Sequence, residues 1–580
     1  MLFQALHVAT DTNPELALQL TSTTGAVDAL IAVARYGTAA PSSLPPLAPL
    51  PLAARLQAAG ALVNAAQSAG ALGASAAAQQ WLSSALLPLL VEALRYDGSA
   101  IDRACDRLRA VAATAGRSDG DGGSGGARGS GSDETAARVA GNGSATGSDG
   151  GGGNGSNGSG GNNGNGGING DKMDTEPCDG NKKAKRGGMD TDGLDPLEAV
   201  RWQWKHEVAE PLMLAAEVLT NAVSLAADAA DAAAAEEGEE SLDGEDWGSD
   251  DEAEQAMERA ATGNSHGGGS SSGGASESRA AVEASPLLRA FVEAGALPMV
   301  LSALEALMPP LPTGPAVAAV GGAVAAAAAL ASPPLPLPPL PAAVATDLAS
   351  DLADLRSTVA LCAANLVQNL PAAGVADPPA VWGGLCSLCV AALAPPSSLD
   401  NCAPPLAGSA RAAVEPLTSV MWALARRFGA LFAAATLPAV SDCGALPLLL
   451  RLLDPLETPG AEARANAVGT LGALAAAAPP AALAAAAAAD VATALRGALA
   501  DAEVLVQGEA LEAVMDVFGS EEQQAAFDGA GLLSAVAAAT PRFRSKVAAD
   551  GPALGRDAHA HLRETTLNAA RFVKYKRALK

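Results

Sequence analysis

The chain has 580 residues, 36 basic and 63 acidic side chains for a net charge of −27, and only 3% aromatics. It is too long for one core, because single cores stop growing at roughly 250–300 residues. Its alanine-rich, aromatic-poor makeup excludes a β-rich fold and favours closely packed helices. An acidic surface repels phosphate backbones and anionic membranes, which argues against nucleic-acid or membrane binding and favours basic partners.

Residues 2–8 (LFQALHV) already read as a helix with an apolar stripe and no polar capping unit before it. A solenoid protects its first repeat, so the expectation is that further repeats precede this point in a longer architecture. The pattern GAVDALIAVAR opens at Gly25, and AARLQAAGALVNAA follows near Arg55. Together they predict armadillo-like helical repeats over residues 1–115. Residues 116–193 form a Gly/Ser/Asn-rich insertion, and Gly116–Gly170 holds too few apolar residues to offset chain entropy, so disorder is expected there. The basic run Lys182, Lys183, Lys185 and Arg186 lies in this insertion and is a candidate nuclear import signal.

Helices resume over 194–235 with PLMLAAEVLTNAV at Pro211, and a second insertion spans 236–285, first acidic and then Gly/Ser-rich. One further helical segment, 286–308, carries GALPMVLSALEAL from Gly295. A Pro/Ala-rich linker over 309–345 contains PPLPLPPLP. From 346 to 580 the pattern is HEAT-like, ending in a closing helix with Arg571, Lys574, Lys576, Arg577 and Lys580 near its end. Glycine opens the same apolar pattern at Gly25, Gly295, Gly444 and Gly531, and a weaker copy begins at Asp490. The last three copies start about 46 and 41 residues apart, within the roughly 40–47 residue period of HEAT and armadillo units. Between the copies runs a second helical pattern, as in STVALCAANLVQNL at Ser357, EARANAVGTLGALA at Glu462 and GEALEAVMDVF at Gly508. The fold expected is an all-α armadillo/HEAT-repeat superhelical solenoid with long disordered insertions. Ala316–Ser332 and Leu471–Ala489 are apolar, but alanine-dominated and broken by glycine or proline, so neither is expected to cross a bilayer.

Catalytic and cofactor signatures are missing from the sequence: it has no phosphate-cradling GxxxxGK[ST], no G-x-S-x-G elbow and no HExxH. Of the histidines, His559 and His561 are placed in a polar turn before the last helix. The seven cysteines are scattered, and Cys386 and Cys389 form a C-x-x-C with no second ligand pair nearby, so buried thiols are expected rather than a metal site. The expectation is a protein-binding chain that is not an enzyme and takes no catalytic metal or cofactor.

The sharpest feature is the tract from Glu236 to Glu258, with twelve acidic residues, no basic ones and Trp247 in the middle. Glu236, Glu237, Glu239, Glu240, Asp243, Glu245, Asp246, Trp247, Asp250, Asp251, Glu252 and Glu254 are the candidate partner-binding residues. A tryptophan anchors in a partner's pocket while carboxylates meet lysine and arginine. Exposed ion pairs contribute only about 0–1 kcal/mol each, so such an arm mainly speeds encounter with basic cargo.

Taken in order, these segments resemble the symportin family of HEAT-repeat proteins. The likeness is clearest over Ser441–Lys580, where EARANAVGTLGAL, VLVQGEALEAVMDVF, PRFRSKV and ARFVKYKR succeed one another. It extends to DTNPELALQL at Asp11, LEAVRWQWKHEVAEPLMLAAEVLTNAV at Leu197, EDWGSDDEAE at Glu245 and AVEPLTSVMWALARR at Ala413. The resemblance implies armadillo repeats followed by HEAT repeats, an acidic insertion, and a cargo of the two large-subunit ribosomal proteins that bind 5S rRNA. It further implies carriage into the nucleus with a transport receptor, and so shuttling between cytoplasm and nucleus. The family's additional N-terminal repeats and N-terminal basic signal have no counterpart in the sequence. Two alternatives stay open: a general armadillo/HEAT interaction scaffold in signalling or ubiquitin pathways, and a nuclear transport receptor itself.

Overall fold

The computed structural model describes residues 2–35, 50–68, 86–95, 103–111 apart from 105, 195–238, 282, 285–308, 342–393, 411–437, 445–458, 460–479 and 485–579. All of these belong to the unit formed by Met1–Thr114 and Asp195–Lys580. Among the described residues there are helices and turns and no strand. The predicted disordered stretch Gly116–Gly170, the basic run Lys182–Arg186 and the Pro-rich linker from Pro309 to Pro341 lie outside the described residues.

Seven long helices form an inner layer, each packed on the next. They are α4 (Leu52–Ser68), α7 (Glu210–Gly238), α10 (Ala342–Asn369), α12 (Val414–Thr436), α14 (Ala461–Ala477), α16 (Val504–Phe518) and α19 (Arg556–Ala578). The outer helices cover this ladder. Before α4 come α1 (Leu2–Thr12), α2 (Pro14–Ser22) and α3 (Ala26–Arg35). Between α4 and α10 come α5 (Leu87–Leu94), α6 (Pro196–Trp204), α8 (Pro286–Glu293) and α9 (Ala296–Leu307). Beyond α10 lie α11 (Pro378–Leu393), α13 (Ala445–Leu452), α15 (Ala485–Ala498), α17 (Gln524–Gly529) and α18 (Leu532–Asp550). A π-helical turn, Lys205–Ala209, joins α6 to α7. This is an all-α repeat solenoid.

The inner helices start at Val414, Ala461, Val504 and Arg556, roughly 45 residues apart, longer than the ~34 residues of a helix-pair TPR unit. They are buried on nearly every side, as residues Arg55 to Ala66 of α4 show. Small residues make that possible. A Cβ on Gly472 would lie 2.6 Å from the Cβ of Ala513, so α14 and α16 touch through a glycine. One continuous apolar core runs from Ala34 and Leu56 to Phe572 and Val573. A small second cluster of Leu30, Ala58, Ala61 and Leu62 closes against Phe3 and Leu6.

Two local devices recur with the repeat. Gly25, Gly295 and Gly531 have φ of 77°, 69° and 66°, the left-handed region that costs other residues roughly 1–2 kcal/mol. Each sits at the turn into an outer helix, which explains why glycine opens these three copies of the pattern; Gly444 lies outside the described residues. The second device is a buried inner-helix arginine. Arg55 donates to the Ala34 carbonyl at 3.2 Å and Arg356 to the Leu307 carbonyl at 2.9 Å, each at the C-terminal end of the preceding outer helix. Arg464 donates to the Thr458 carbonyl at 2.9 Å and holds both oxygens of Asp501 at 3.0 and 3.1 Å. Arg55 and Arg356 thus satisfy helix-end carbonyls and favour the negative end of the helix dipole, while the Thr458 carbonyl lies in the turn region after α13.

One sequence reading needs correction. His559 and His561 are not in a turn but in the first turns of α19, because Gly555 (φ 93°) makes the turn and the helix begins at Arg556. Beyond the two stretches weighed above, the helical segment Pro196–Ala230 is long and apolar enough to cross a bilayer. More than half of its apolar window, 56%, is buried inside the protein. Arg201 and Lys205 near its start pair with Asp347 and Asp351 of α10. A helix apolar on most of its surface is what an inner layer requires.

Candidate functional site: an acidic seat on the inner layer

Of the residues singled out from the sequence, Glu236 and Glu237 fall in the last turn of α7. Glu239, Glu240, Asp243, Glu245, Asp246, Trp247, Asp250, Asp251, Glu252 and Glu254 lie outside the described residues, as do Lys182, Lys183, Lys185 and Arg186. Cys386 and Cys389 are buried in α11. Burial pushes the Cys389 thiol well up, with Cys386 adding to it, and its Sγ lies 3.5 Å from the Met421 sulfur. Burial likewise pushes Cys362 up to about 12. Such thiols are packing groups with little thiolate character.

The described chemistry gathers instead on the inner layer between α12 and α19. A cavity of ≈ 230 Å³ is lined entirely by inner-layer helices: Ser419 of α12, Glu462 and Asn466 of α14, Glu509 of α16, and His561 and Leu562 of α19. The stack brings residues from four successive repeats to one place because equivalent positions of parallel inner helices lie side by side. Asn466 bridges two repeats, its amide donating to the Ser419 hydroxyl at 2.9 Å. Between α7 and α10 the direction is reversed, the Ser224 hydroxyl donating to the Asn365 side-chain carbonyl oxygen at 3.1 Å.

The electrostatics are one-sided. Burial, with Glu462 close by and hydrogen-bonded to it, raises Glu415 above the ordinary carboxylate range. Glu509 is pushed up to about 7, first by burial, then by Glu512 and Asp516, against a downward pull from Arg426. Asp516 is raised by burial and by Glu512. Arg426 lies over the Trp422 ring at 5.3 Å. Gly469 keeps room for this group: a side chain there would run into the Trp422 indole and lie 3.0 Å from a Glu509 oxygen. At the far side His561 pairs with Glu512 at 2.9 Å, and the Thr565 hydroxyl donates to the same carboxylate. Nearer the start of the ladder, burial and Asp11 also raise Glu217 of α7.

Glu509, Glu512 and His561 offer ligand atoms within 4.8 Å of one another, a donor set of the type that binds zinc. Chemically the arrangement can attract and hold a cation. Sequence reading missed it although a signal was there: Glu415, Glu462 and Glu509 recur at an interval of about 47 residues, one repeat apart.

Residues 341–580, which contain this whole site, match the family described as SYO1-like, TPR repeats. Over that span the chain resembles the symportin family. That family is a repeat scaffold, an architecture suited to binding other proteins. No curated protein matches the chain.

Proposed function

We propose that this chain is a non-enzymatic adaptor and chaperone for basic ribosomal proteins, namely the 5S-rRNA-binding pair of the large subunit, supporting their nuclear import and assembly into ribosomes. The observation that carries this reading is the excess of carboxylates on the inner layer of the symportin-like span. Glu415 lies against Glu462, Glu509 and Asp516 feel Arg426, and Glu512 pairs with His561, so acids outnumber bases in the group. Carboxylates gathered on one face attract lysine and arginine, most strongly at the partly buried Glu509 and Glu512, where a lower local dielectric weakens screening. An extended cargo segment running across the ladder meets them in succession. The acidic arm around Trp247 covers the RNA-binding surface of a second cargo, its charge standing in for phosphate and speeding encounter. A transport receptor then engages the loaded complex, which shuttles between cytoplasm and nucleus.

The test is affinity capture from a cell extract with the tagged full-length chain, washed at moderate salt. Enrichment of the two 5S-rRNA-binding ribosomal proteins without whole ribosomes is the expected result. Recovery of signalling or ubiquitin components in their place refutes the proposal.

A further inference from the structure

We infer that the cavity between α12, α14, α16 and α19 is a seat for one arginine side chain of an extended basic segment, an inference that rests on the adaptor reading above. Glu462 and Glu509 come from different helices and line the same cavity, so a planar guanidinium bridges them where a point-charge ammonium meets one at a time. Asn466 commits its amide to the Ser419 hydroxyl, which leaves its carbonyl oxygen as a third acceptor. Leu562 supplies an apolar wall for the methylene stem of the incoming side chain. A volume of ≈ 230 Å³ is below the roughly 300–1,000 Å³ of small-molecule pockets and suits a single side chain.

The cation is an arginine and not a divalent metal because His561 and Glu512 already satisfy each other, with Thr565 hydrogen-bonded to the same carboxylate. A metal would have to break both contacts. A guanidinium takes Glu462 and Glu509 and leaves both intact, replacing only the contact of Glu462 with Glu415, a pairing of two acids that a cation relieves. It is also more weakly hydrated than an ammonium, so it loses less on entering a half-buried site. The raised proton affinity of Glu509 and of the neighbouring Glu415 fits acidic groups that gain when a cation arrives.

The experiment is fluorescence anisotropy with the full chain and a labelled 12-residue peptide of alternating lysine and glycine carrying one central arginine. Replacing that arginine by its neutral isostere citrulline is expected to weaken binding roughly 10–30-fold on the unaltered protein, the range of a charge-assisted bidentate contact. Replacing it by lysine weakens binding about 5-fold. On the Glu462→Gln/Glu509→Gln protein the citrulline effect falls below about 3-fold. A control with the same charge change at exposed positions, Glu522→Gln/Asp550→Asn, keeps the full ratio. Equal citrulline losses on the unaltered and doubly substituted proteins overturn the seat. So does zinc chloride at about 50 µM abolishing the arginine–citrulline difference in a His561-dependent way, which assigns the cluster to a metal. Absence of peptide binding while affinity capture still recovers ribosomal proteins removes the seat and leaves the adaptor. An intact arginine–citrulline ratio with failed capture supports the seat and removes the adaptor.

Discussion

Glu509→Gln is expected to make the protein more stable above neutral pH and to leave it unchanged in mild acid. The carboxyl is half-buried in α16 beside Glu512 and Asp516, with Arg426 across on α12 and His561 on α19 paired to Glu512. Its proton affinity rises from the ordinary 4.5 to about 7. An acid whose folded pKa is raised contributes stability that is fully present below the unfolded value and is lost as pH rises through the folded value. The cost of ionising Glu509 therefore develops between about pH 4.5 and 7 and is complete by pH 8. At about 1.4 kcal/mol per unit the ceiling is roughly 3 kcal/mol, and partial solvation of the site reduces it to about 1–2 kcal/mol. Glutamine keeps the shape without the charge. Thermal melts at pH 8 should rise by about 2 °C or more for the variant, while melts at pH 5 should agree within about 1 °C. An equal gain at both pH values, or a loss at pH 8, refutes the claim that this carboxylate is strained by its surroundings. Cargo affinity should fall in the same variant, the usual exchange of function for stability at a binding site.

Arg464→Met should cost about 3–5 kcal/mol in urea unfolding, because it leaves Asp501 buried without its bidentate partner, and Arg464→Met/Asp501→Leu should recover more than half of the loss. Gly531→Ala should cost about 1–2 kcal/mol in the same assay, since the left-handed backbone at φ 66° disfavours a side chain. Lys576, fully buried against Phe527 and Phe572 and bonded to Gln524 at 3.0 Å, should tolerate methionine better than alanine. The alanine variant leaves a cavity worth about 2–4 kcal/mol. Neutralising the carboxylates between Glu236 and Glu254 should slow association with a basic ribosomal protein by about tenfold at low salt and have little effect at high salt. Stopped-flow rates unchanged at low salt would remove the arm from the mechanism.

How much of this was legible in the sequence depends on whether an interaction is local or shared between repeats. Gly25, Gly295 and Gly531 were visible because a left-handed turn selects glycine whatever surrounds it. The alternation of strongly apolar outer helices with Ala/Gly-rich inner ones was visible for a similar reason. An inner helix is squeezed from both sides, and Gly472 against Ala513 shows the spacing that demands small residues. The arginine clasps were not recognised, although Arg55, Arg356 and Arg464 hold comparable places in three inner helices. Inside an apolar pattern a charged residue reads as an exposed face, and only the structure shows the carbonyls it reaches.

The acidic seat was hidden for the opposite reason to the acidic arm. The arm concentrates its carboxylates in one contiguous tract, so composition alone reveals it. The seat takes one or two residues from each of four helices, none of them unusual in its own segment. Glu415 and Glu462 sit in the first turns of α12 and α14, where an acid is commonplace because it complements the helix dipole. Stacking puts those two carboxylates against each other and sets Glu509 and Glu512 on the next helix, beyond Gly469. The solenoid thus turns a weak preference repeated every ~47 residues into a continuous field along one face. A linear array of acids favours an extended basic chain over a compact ligand, because only an extended chain reaches successive repeats at once. Each contact raises the effective concentration of the next, so even sites of modest individual strength would together hold a cargo segment firmly while leaving any one arginine replaceable.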